Sequence, residues 1–495
     1  MANVTIDVGN GYYESDSLPF ANQRCVNLYP NYPQAPALAS TSLFEVQGLE
    51  EVLTTSRKAA ASNRGSWVFN GVPFFVNGTF LYRLDRSVGF GGVVSYKVAN
   101  LGEIEGSGVV SMSDNGRQLI IIDSDGNGHI YQPTATPQLQ SITDAGFQAN
   151  GTPQRVVFID SYFVVTTNQK KAIISSPNDG TNWNALDFIS AEADPDEIVA
   201  PFVFKNQLYL LGAETTETYR NIGGAGVPFQ RINGFVLSQG CIAPNSVQSI
   251  GNKVLWVGNG ANEQPVIWLF NGSEPQKISS TAIDTKIHEL SEEEVSNIYS
   301  WSYSLRGHEF IAFTASKWTF IFDTATTKWH ERESETRDTR GFRVTKPCRI
   351  RTVVSAYNEL LVGDSEDGRI GLIKAGVYKE YDEPLISFFT TSPLYDMGNS
   401  FSLPSIEVLC DSGVGNPDAP NPEIRLEVSR DGAVFENPRT RYLGAVGDRK
   451  IRQIWYKNGR VSRYCIFKVT VSDFVKRRFF GMELTYKRGL GGGQG

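Results

Sequence analysis

The chain has 495 residues, 40% hydrophobic and 20% charged, with 47 glycines, 29 Phe, 20 Tyr and 8 Trp, and a net charge of −7. That size holds two or three domains with sizeable cores, and the balance of residues excludes a disordered chain. No apolar run approaches the roughly 18 to 20 residues that span a bilayer, so no membrane insertion is expected.

The glycine and aromatic content points to an all-β protein, because turns need glycine and strands favour rings. The opening MANVTIDVGNGYY has neither a basic start nor an apolar core. We therefore expect no secretory signal, and assembly in a cytoplasm. Residues 1–50 lack a hairpin pattern. Their stretch NQRCVNLYPNYPQAPALASTSLFEVQGLEEV is rich in Pro, Asn and Ser and reads as an extended N-terminal arm.

From residue 65 to residue 375 a strand-hairpin unit recurs about every 48 residues. Its members start at Gly65, Gly116, Arg155, Pro201, Asn252, His308 and Arg351. Each is a short run of Val, Ile, Phe, Tyr or Trp, then a polar or glycine turn, then a second run, as in GSWVFNGVPFFVNGTFLYRLD. That is the pattern of paired antiparallel strands, and its period predicts a β-propeller of six or seven blades over 51–380. SSTAIDTKIHELSEEEVSNIY, from Ser279, interrupts the rhythm. It is predicted as two short helices, with Ser291 as an N-cap ahead of the acidic turn Glu292 to Glu294.

After residue 380 the rhythm changes. PSIEVLCDSG, PEIRLEVSRDG, DRKIRQIWYKNG, RVSRYCIFKVTVSD and RFFGMELTYKRG are five strand candidates. Ile424, Leu426 and Val428 share one face of the second, and Phe467, Val469 and Val471 one face of the fourth. We expect a β-sandwich-like C-terminal domain over 381–488 and a flexible glycine tail over 489–495. Trp67, Trp256, Trp268, Trp318 and Trp455 fall in strand candidates and are expected to be buried.

The motifs weigh toward structure. Ser176, Asn178, Gly180 and Trp183 have the spacing of an Asp-box, and Ser429, Asp431, Gly432 and Phe435 form a shortened version. Such boxes pin turns and do no chemistry. DSDGNG, from Asp123, opens like a calcium loop, but position twelve is Thr134 rather than a bidentate Glu, so a hairpin turn is favoured. The acids Asp194, Asp196 and Glu197 sit together without a defined distance. His308–Glu309 and His330–Glu331 are strand neighbours whose side chains point to opposite faces. The five cysteines are scattered, with no C-x-x-C pair, and read as packing residues in a reducing compartment. No catalytic, cofactor-binding or metal-binding residue is nominated, and no enzyme activity is expected. The charge is uneven. Residues 431–495 carry 14 Lys/Arg and 5 Asp/Glu, against 32 and 48 in the first 430. A basic end of this kind is compatible with docking an acidic partner.

Two stretches resemble the phage stabilisation family, the packaged-DNA stabilisation or tail-hub and nozzle proteins of short-tailed phages. One is NQRCVNLYPNYPQ, with its N-L-Y-P phrase at 27–30, followed by the glycine-ending segment 40–48. The other runs from LEVSRDGAVF through the strand of Trp455 and an Arg-rich turn to the final aliphatic strand. The resemblance implies a virion structural protein located in the phage tail. It would form a homo-oligomeric nozzle or hub ring, with a hexamer as the expected ring, below the portal and head-to-tail adaptor rings. That ring continues the DNA channel, retains packaged DNA, helps its ejection, and carries tail fibre, spike or needle proteins. Genomic DNA would pass without sequence-specific binding, as an acidic or neutral lining lets phosphates slide. The alternative reading is a glycan-binding or sialidase-like propeller enzyme. It would need three arginines converging with a Tyr–Glu pair in the central cavity.

Overall fold

The computed structural model describes residues 2–190, 197–224 and 226–489. They form two compact units: Glu51–Tyr303 with Arg349–Leu372, and Met1–Glu50 with Ser304–Cys348 and Ile373–Gly495.

The first unit is a six-bladed β-propeller. Blade 1 is the antiparallel meander Asn63–Phe69, Val72–Asn77, Phe80–Val88 and Val94–Glu103. Four more four-stranded blades follow in chain order, starting at Ser111–Asp114, Pro153–Ile159, Ile198–Phe204 and Gln248–Ile250. Blade 6 consists of Ile350–Ala356, Glu359–Asp364 and Arg369–Lys374, and Gly48–Thr54 follows them in the same sheet. An early strand thus completes a late blade. Thr55 and Gly368 seal the junction, with Thr55 N–H donating to the Gly368 carbonyl at 2.8 Å and Gly368 N–H to that of Ser56 at 2.8 Å.

Local chemistry explains the repeat. The turn between the first two strands of blades 1, 3, 4 and 6 has positive φ at two successive residues: Asn70-Gly71, Asp160-Ser161, Lys205-Asn206 and Tyr357-Asn358. That is the two-residue hairpin turn whose twist matches the strands. The second strands have apolar residues on both faces, and alternate residues feed different cores. Ile120 and Ile122 pack with Val156, Phe163 and Val165 of blade 3, while Leu119 and Ile121 pack with Phe74, Val76 and Leu81 of blade 1. Phe75, on the opposite face from Phe74, meets Leu361 and Ile370 of blade 6 and closes the circle.

The two predicted helices are present. Helix α1 (Thr281–His288) is capped by Ser280 and helix α2 (Glu292–Ser296) by Ser291, in a capping box with Glu294. Trp256, Trp268, Trp318 and Trp455 are buried. Trp67 is less buried than these four, because its ring stands on the wall of the propeller cavity while its Nε1 donates to Asp114 Oδ2 at 2.7 Å.

The second unit is a β-sandwich. One sheet runs Gln453–Tyr456, Phe401–Cys410, Arg478–Arg488, Ser42–Glu45, Leu28–Asn31, with Ala2–Ile6 also paired along Arg478–Arg488. Within this unit the opposing sheet runs from His308–Thr314 through Thr319–Asp323, Lys328–Glu331, Cys25–Val26, Ser387–Thr390, Tyr464–Val471 and Glu423–Ser429 to Arg439–Tyr442. Leu28, Leu43, Ile406, Val408 and Met482 meet Ile424, Leu426, Val428, Phe467 and Val469 in one core around Trp455.

Residues 1–50, expected as an extended arm, supply strands to both sheets. Asn27, at φ 54°, is their hub: its amide nitrogen donates to the Glu333 and Ile386 carbonyls at 3.0 and 2.7 Å, and its Oδ1 accepts from Glu333 N–H at 3.1 Å. The N-L-Y-P phrase is therefore a folding device. The hairpin starting at His308, expected inside a 51–380 propeller, lies in the sandwich unit. Backbone pairing draws it there, because Glu331 is in parallel register with Val26. Of the expected glycine tail, residues 490–495 lie outside the described residues.

Candidate functional site

The propeller unit has a central cavity of two lobes, about 890 and 650 Å³. The larger is polar, bordered by Asp123, Thr167, Asn168, Lys170 and Glu197 among others. The smaller takes in Trp67, Met112, Phe158, Phe202 and Tyr299. Arg64, Val109, Arg155, Pro244, Asn245 and Arg351 border both lobes and so form the neck between them.

The three neck arginines are not equivalent. Arg64, on the first strand of blade 1, is buried and spends four of its five donors on backbone. Its Nε donates to the Gly108 carbonyl at 2.7 Å, one terminal nitrogen to Gly78 and Ile104 at 3.0 and 2.7 Å, and the other to Glu105 at 2.6 Å. Burial lowers its pKa. It is a rivet holding the crossover from blade 1 to blade 2. Arg155, on the first strand of blade 3, donates to Asn245 Oδ1. Burial pushes its guanidinium down to about 10, and the charge of Arg351 acts in the same direction. Arg351, on the first strand of blade 6, lies 3.9 Å over the ring of Tyr299. Among the described residues no carboxylate pairs with Arg155 or Arg351.

The sialidase constellation is not assembled among the described residues. Arg64 has four of its five donors committed to backbone carbonyls, and the Tyr299 hydroxyl donates to the Ile350 carbonyl at 3.4 Å. The Tyr–Glu pairs present, Tyr219 with Glu217 and Tyr96 with Glu359, border neither lobe.

The sequence motifs resolve as turns. Asp123 Oδ1 accepts from Asp125 and Asn127 N–H at 2.9 Å each, and Oδ2 from the Asn127 amide at 3.0 Å, inside the hairpin joining Leu119–Ile122 to Gly128–Tyr131. In the Asp-box, Trp183 is buried and its Nε1 donates to the Gly180 carbonyl at 2.8 Å, while Asn178 has φ 57°. In the shortened box, Asp431 Oδ1 accepts from Ala433 and Val434 N–H at 2.9 and 2.8 Å. Of the clustered acids, Asp194 and Asp196 lie outside the described residues, and Glu197 stands on the cavity rim. Among the described residues no group of three or more His, Cys, Asp or Glu side chains is placed to hold a metal ion. All five cysteines are free thiols.

Two polar clusters in the sandwich unit escaped the sequence reading. His308 Nδ1 lies 2.7 Å from Asp323 Oδ2, and its Nε2 lies 3.1 Å from Asn31 Oδ1. Burial alone would raise the Asp323 carboxyl, but His308, Thr326 and the Ala325 N–H hold it below the usual carboxylate range. The signal was available in the hairpin register, which pairs Phe310 with Asp323 and leaves His308 diagonal to it. The second cluster is Arg24, which clamps Glu331 at 3.0 and 2.6 Å and reaches Glu333 at 2.8 Å. No sequence spacing announces that pair. Both clusters tie strands together, since each ring or guanidinium nitrogen described faces a protein acceptor rather than a cleft.

Two family models account for nearly the whole chain. The phage stabilisation model, described as bacteriophage P22 Gp10, β-propeller, matches residues 4–378, and the model described as bacteriophage P22 Gp10, β-sandwich, matches residues 387–487. No curated protein matches the chain. Among solved structures, the WD40 propeller domain of Doa1 aligns over 66% of this chain and 97% of its own, at 13% identity and a TM-score of 0.40. The computationally designed Ika8 protein covers 66% and 99% at 14% identity and 0.36. PorZ of the type-IX secretion system of Porphyromonas gingivalis covers 74% and 44% at 10% identity and 0.37. At those scores none of the three carries an argument about this chain.

Proposed function

The chain belongs to the phage stabilisation family of bacteriophage P22 Gp10, and from that premise we propose that this virion structural protein forms the tail nozzle or hub. In this reading a homo-oligomeric ring, with six copies as the proposed number, sits below the portal and head-to-tail adaptor. It continues the DNA channel, retains the packaged genome and helps its ejection. Tail fibre, spike or needle proteins attach to it, and the protein has no covalent chemistry. Assembly would take place in the host cytoplasm.

The observation that carries the proposal is the match of both family models across both units. Physical features support it. A phage structural role needs contact surfaces, and Val88, Phe90 and Val93 stand exposed at the tip of the outer hairpin of blade 1. Large apolar groups gathered at one tip are a feature of surfaces that associate. The net charge of −7 suits a channel through which phosphates slide.

The test is native mass spectrometry and electron microscopy of the full chain, alone and mixed with purified adaptor rings. A ring of six copies, formed alone or on the adaptor, is the expected result. A protein that stays monomeric with adaptor present, and is missing from purified virions, would overturn the proposal.

A further inference from the structure

Arg155 and Arg351 come from first strands of different blades, 3 and 6, and both border the two lobes of the propeller cavity. Each is half-buried. Their described partners are neutral: the Asn245 amide oxygen for Arg155 and the face of Tyr299 for Arg351. The nearby Cys241 thiol supplies no countercharge at neutral pH, since burial pushes it up to about 12. Two guanidinium groups that face one neck without a carboxylate between them are an unusual expense for a fold. A cation removed from water is normally paired, and elsewhere in this unit Arg349 meets Asp364 at 2.7 Å and Arg369 meets Asp367 at 2.9 Å.

We propose that the neck of the propeller cavity is a binding site for a small oxyanion of the phosphate or carboxylate class, held between the guanidinium groups of Arg155 and Arg351. The planar fork of each arginine matches two oxygens of such an ion. Asn245 turns its Oδ1 toward Arg155, which leaves its amide NH₂ without a described acceptor and available to a third oxygen. The stacking of Arg351 on Tyr299 fixes one fork in place, so little side-chain freedom remains to be lost on binding. A bound anion removes the like-charge repulsion at the neck and pins blade 3 to blade 6 across the cavity. The site is independent of the ring proposed above, because every residue in it belongs to one propeller.

The test uses the full chain and two probes, inorganic phosphate and acetate, each against chloride at matched ionic strength. Thermal melting and the phosphorus-31 linewidth of phosphate are the readouts. Phosphate is expected to raise the melting temperature saturably and to broaden on adding protein. Acetate acting equally well marks a carboxylate-tolerant site, whereas phosphate acting alone marks a tetrahedral one. Arg155→Gln and Arg351→Gln are each expected to weaken binding by about 10- to 100-fold, the worth of one charge-assisted contact. Arg351→Lys, which keeps the charge and loses the fork, should fall between them and the parent. In anion-free buffer Arg351→Gln should melt no lower than the parent, since it relieves a repulsion. If phosphate shifts parent and Gln variants alike, or if neither probe differs from chloride, the site does not exist. If Arg351→Gln melts far below the parent and phosphate has no effect on Arg155→Gln or the parent, the arginines are packing groups and the proposal fails.

Discussion

His330 offers the sharpest handle on the stability of the sandwich unit. Its ring is fully buried, 5.7 Å from Phe310 and 6.2 Å from Tyr29, centre to centre. Neither ring nitrogen has a hydrogen-bond partner among the described residues. Burial pushes the imidazole down from 6.5 to about 3; Asp323 opposes the shift, and Arg332 and His308 add to it. A depressed pKa means that the unfolded chain takes up a proton the folded chain refuses. The stability tied to neutral His330 is therefore complete above pH 6.5 and drains away as pH falls toward 3. One proton corresponds to about 1.36 kcal/mol per pH unit, so about 2 kcal/mol is lost by pH 5. His330→Phe keeps a ring in the aromatic box and removes the titration. At pH 7 relief of two unpaired nitrogens and the added bulk oppose each other, each worth about 1 to 3 kcal/mol. The informative quantity is the pH dependence. Urea melts at pH 7, 6 and 5 should show the variant gaining on the parent by about 2 kcal/mol at the acid end. Two stability curves that fall in parallel would refute the reasoning, since the ring would then be protonated equally in both states.

Trp455→Ala should cost about 3 to 5 kcal/mol, because the ring is fully buried between the sheets and its Nε1 donates to the Arg439 carbonyl at 2.8 Å; a thermal melt identical to the parent's would contradict this. Gly368→Ala should open the ring closure of the propeller. The new methyl would lie 2.9 Å from the Ser56 backbone nitrogen, at a cost of about 1 to 3 kcal/mol, and amide exchange over 51–56 should speed up. Exchange unchanged there would mean that the closing strand is held by other contacts.

What the sequence disclosed and what it hid follow from the range of the interactions. Hairpins are local: the turn Asn70-Gly71 and the flanking alternation sit within one short window, so the repeat and the all-β class were legible. So was the second helix, because Ser291 and Glu294 form its capping box across three residues. The unit boundaries were not. The pairing of Glu331 with Val26 spans some 300 residues, and nothing in either strand names the other. The cavity followed the same rule. Arg155 and Arg351 each stand in an ordinary strand, and only the circular order of the blades brings them to one neck. The absence of a catalytic motif left the sequence silent about a place where charge, not chemistry, is the signal.

The basic C-terminal end shows the same limit from the other side. Counted along the chain, residues 431–495 carry a balance of +9 and the remainder −16. Folding answers part of that contrast, with acids that lie earlier in the sequence. Arg452 pairs with Glu407, Lys476 with Asp411 at 2.6 Å, and Arg488 with Asp396 at 2.6 Å. Arg478 stacks 4.3 Å over Phe44, with Glu45 at 3.8 Å. Arg477 is fully buried, donating to the Leu385 and Asp473 carbonyls at 2.7 and 2.6 Å. Arg439 and Arg441 spend donors on the Tyr456 and Ile454 carbonyls at 2.8 and 3.0 Å, covering an edge strand that would otherwise invite another chain. Arg449, Lys450, Lys457, Arg463 and Lys487 remain exposed, with no pairing carboxylate described. Exposed charges of that kind are screened beyond about 8 Å at physiological ionic strength. An assembly contact made through this end should therefore weaken as salt rises, because several of its cations are exposed with no carboxylate of this chain described beside them.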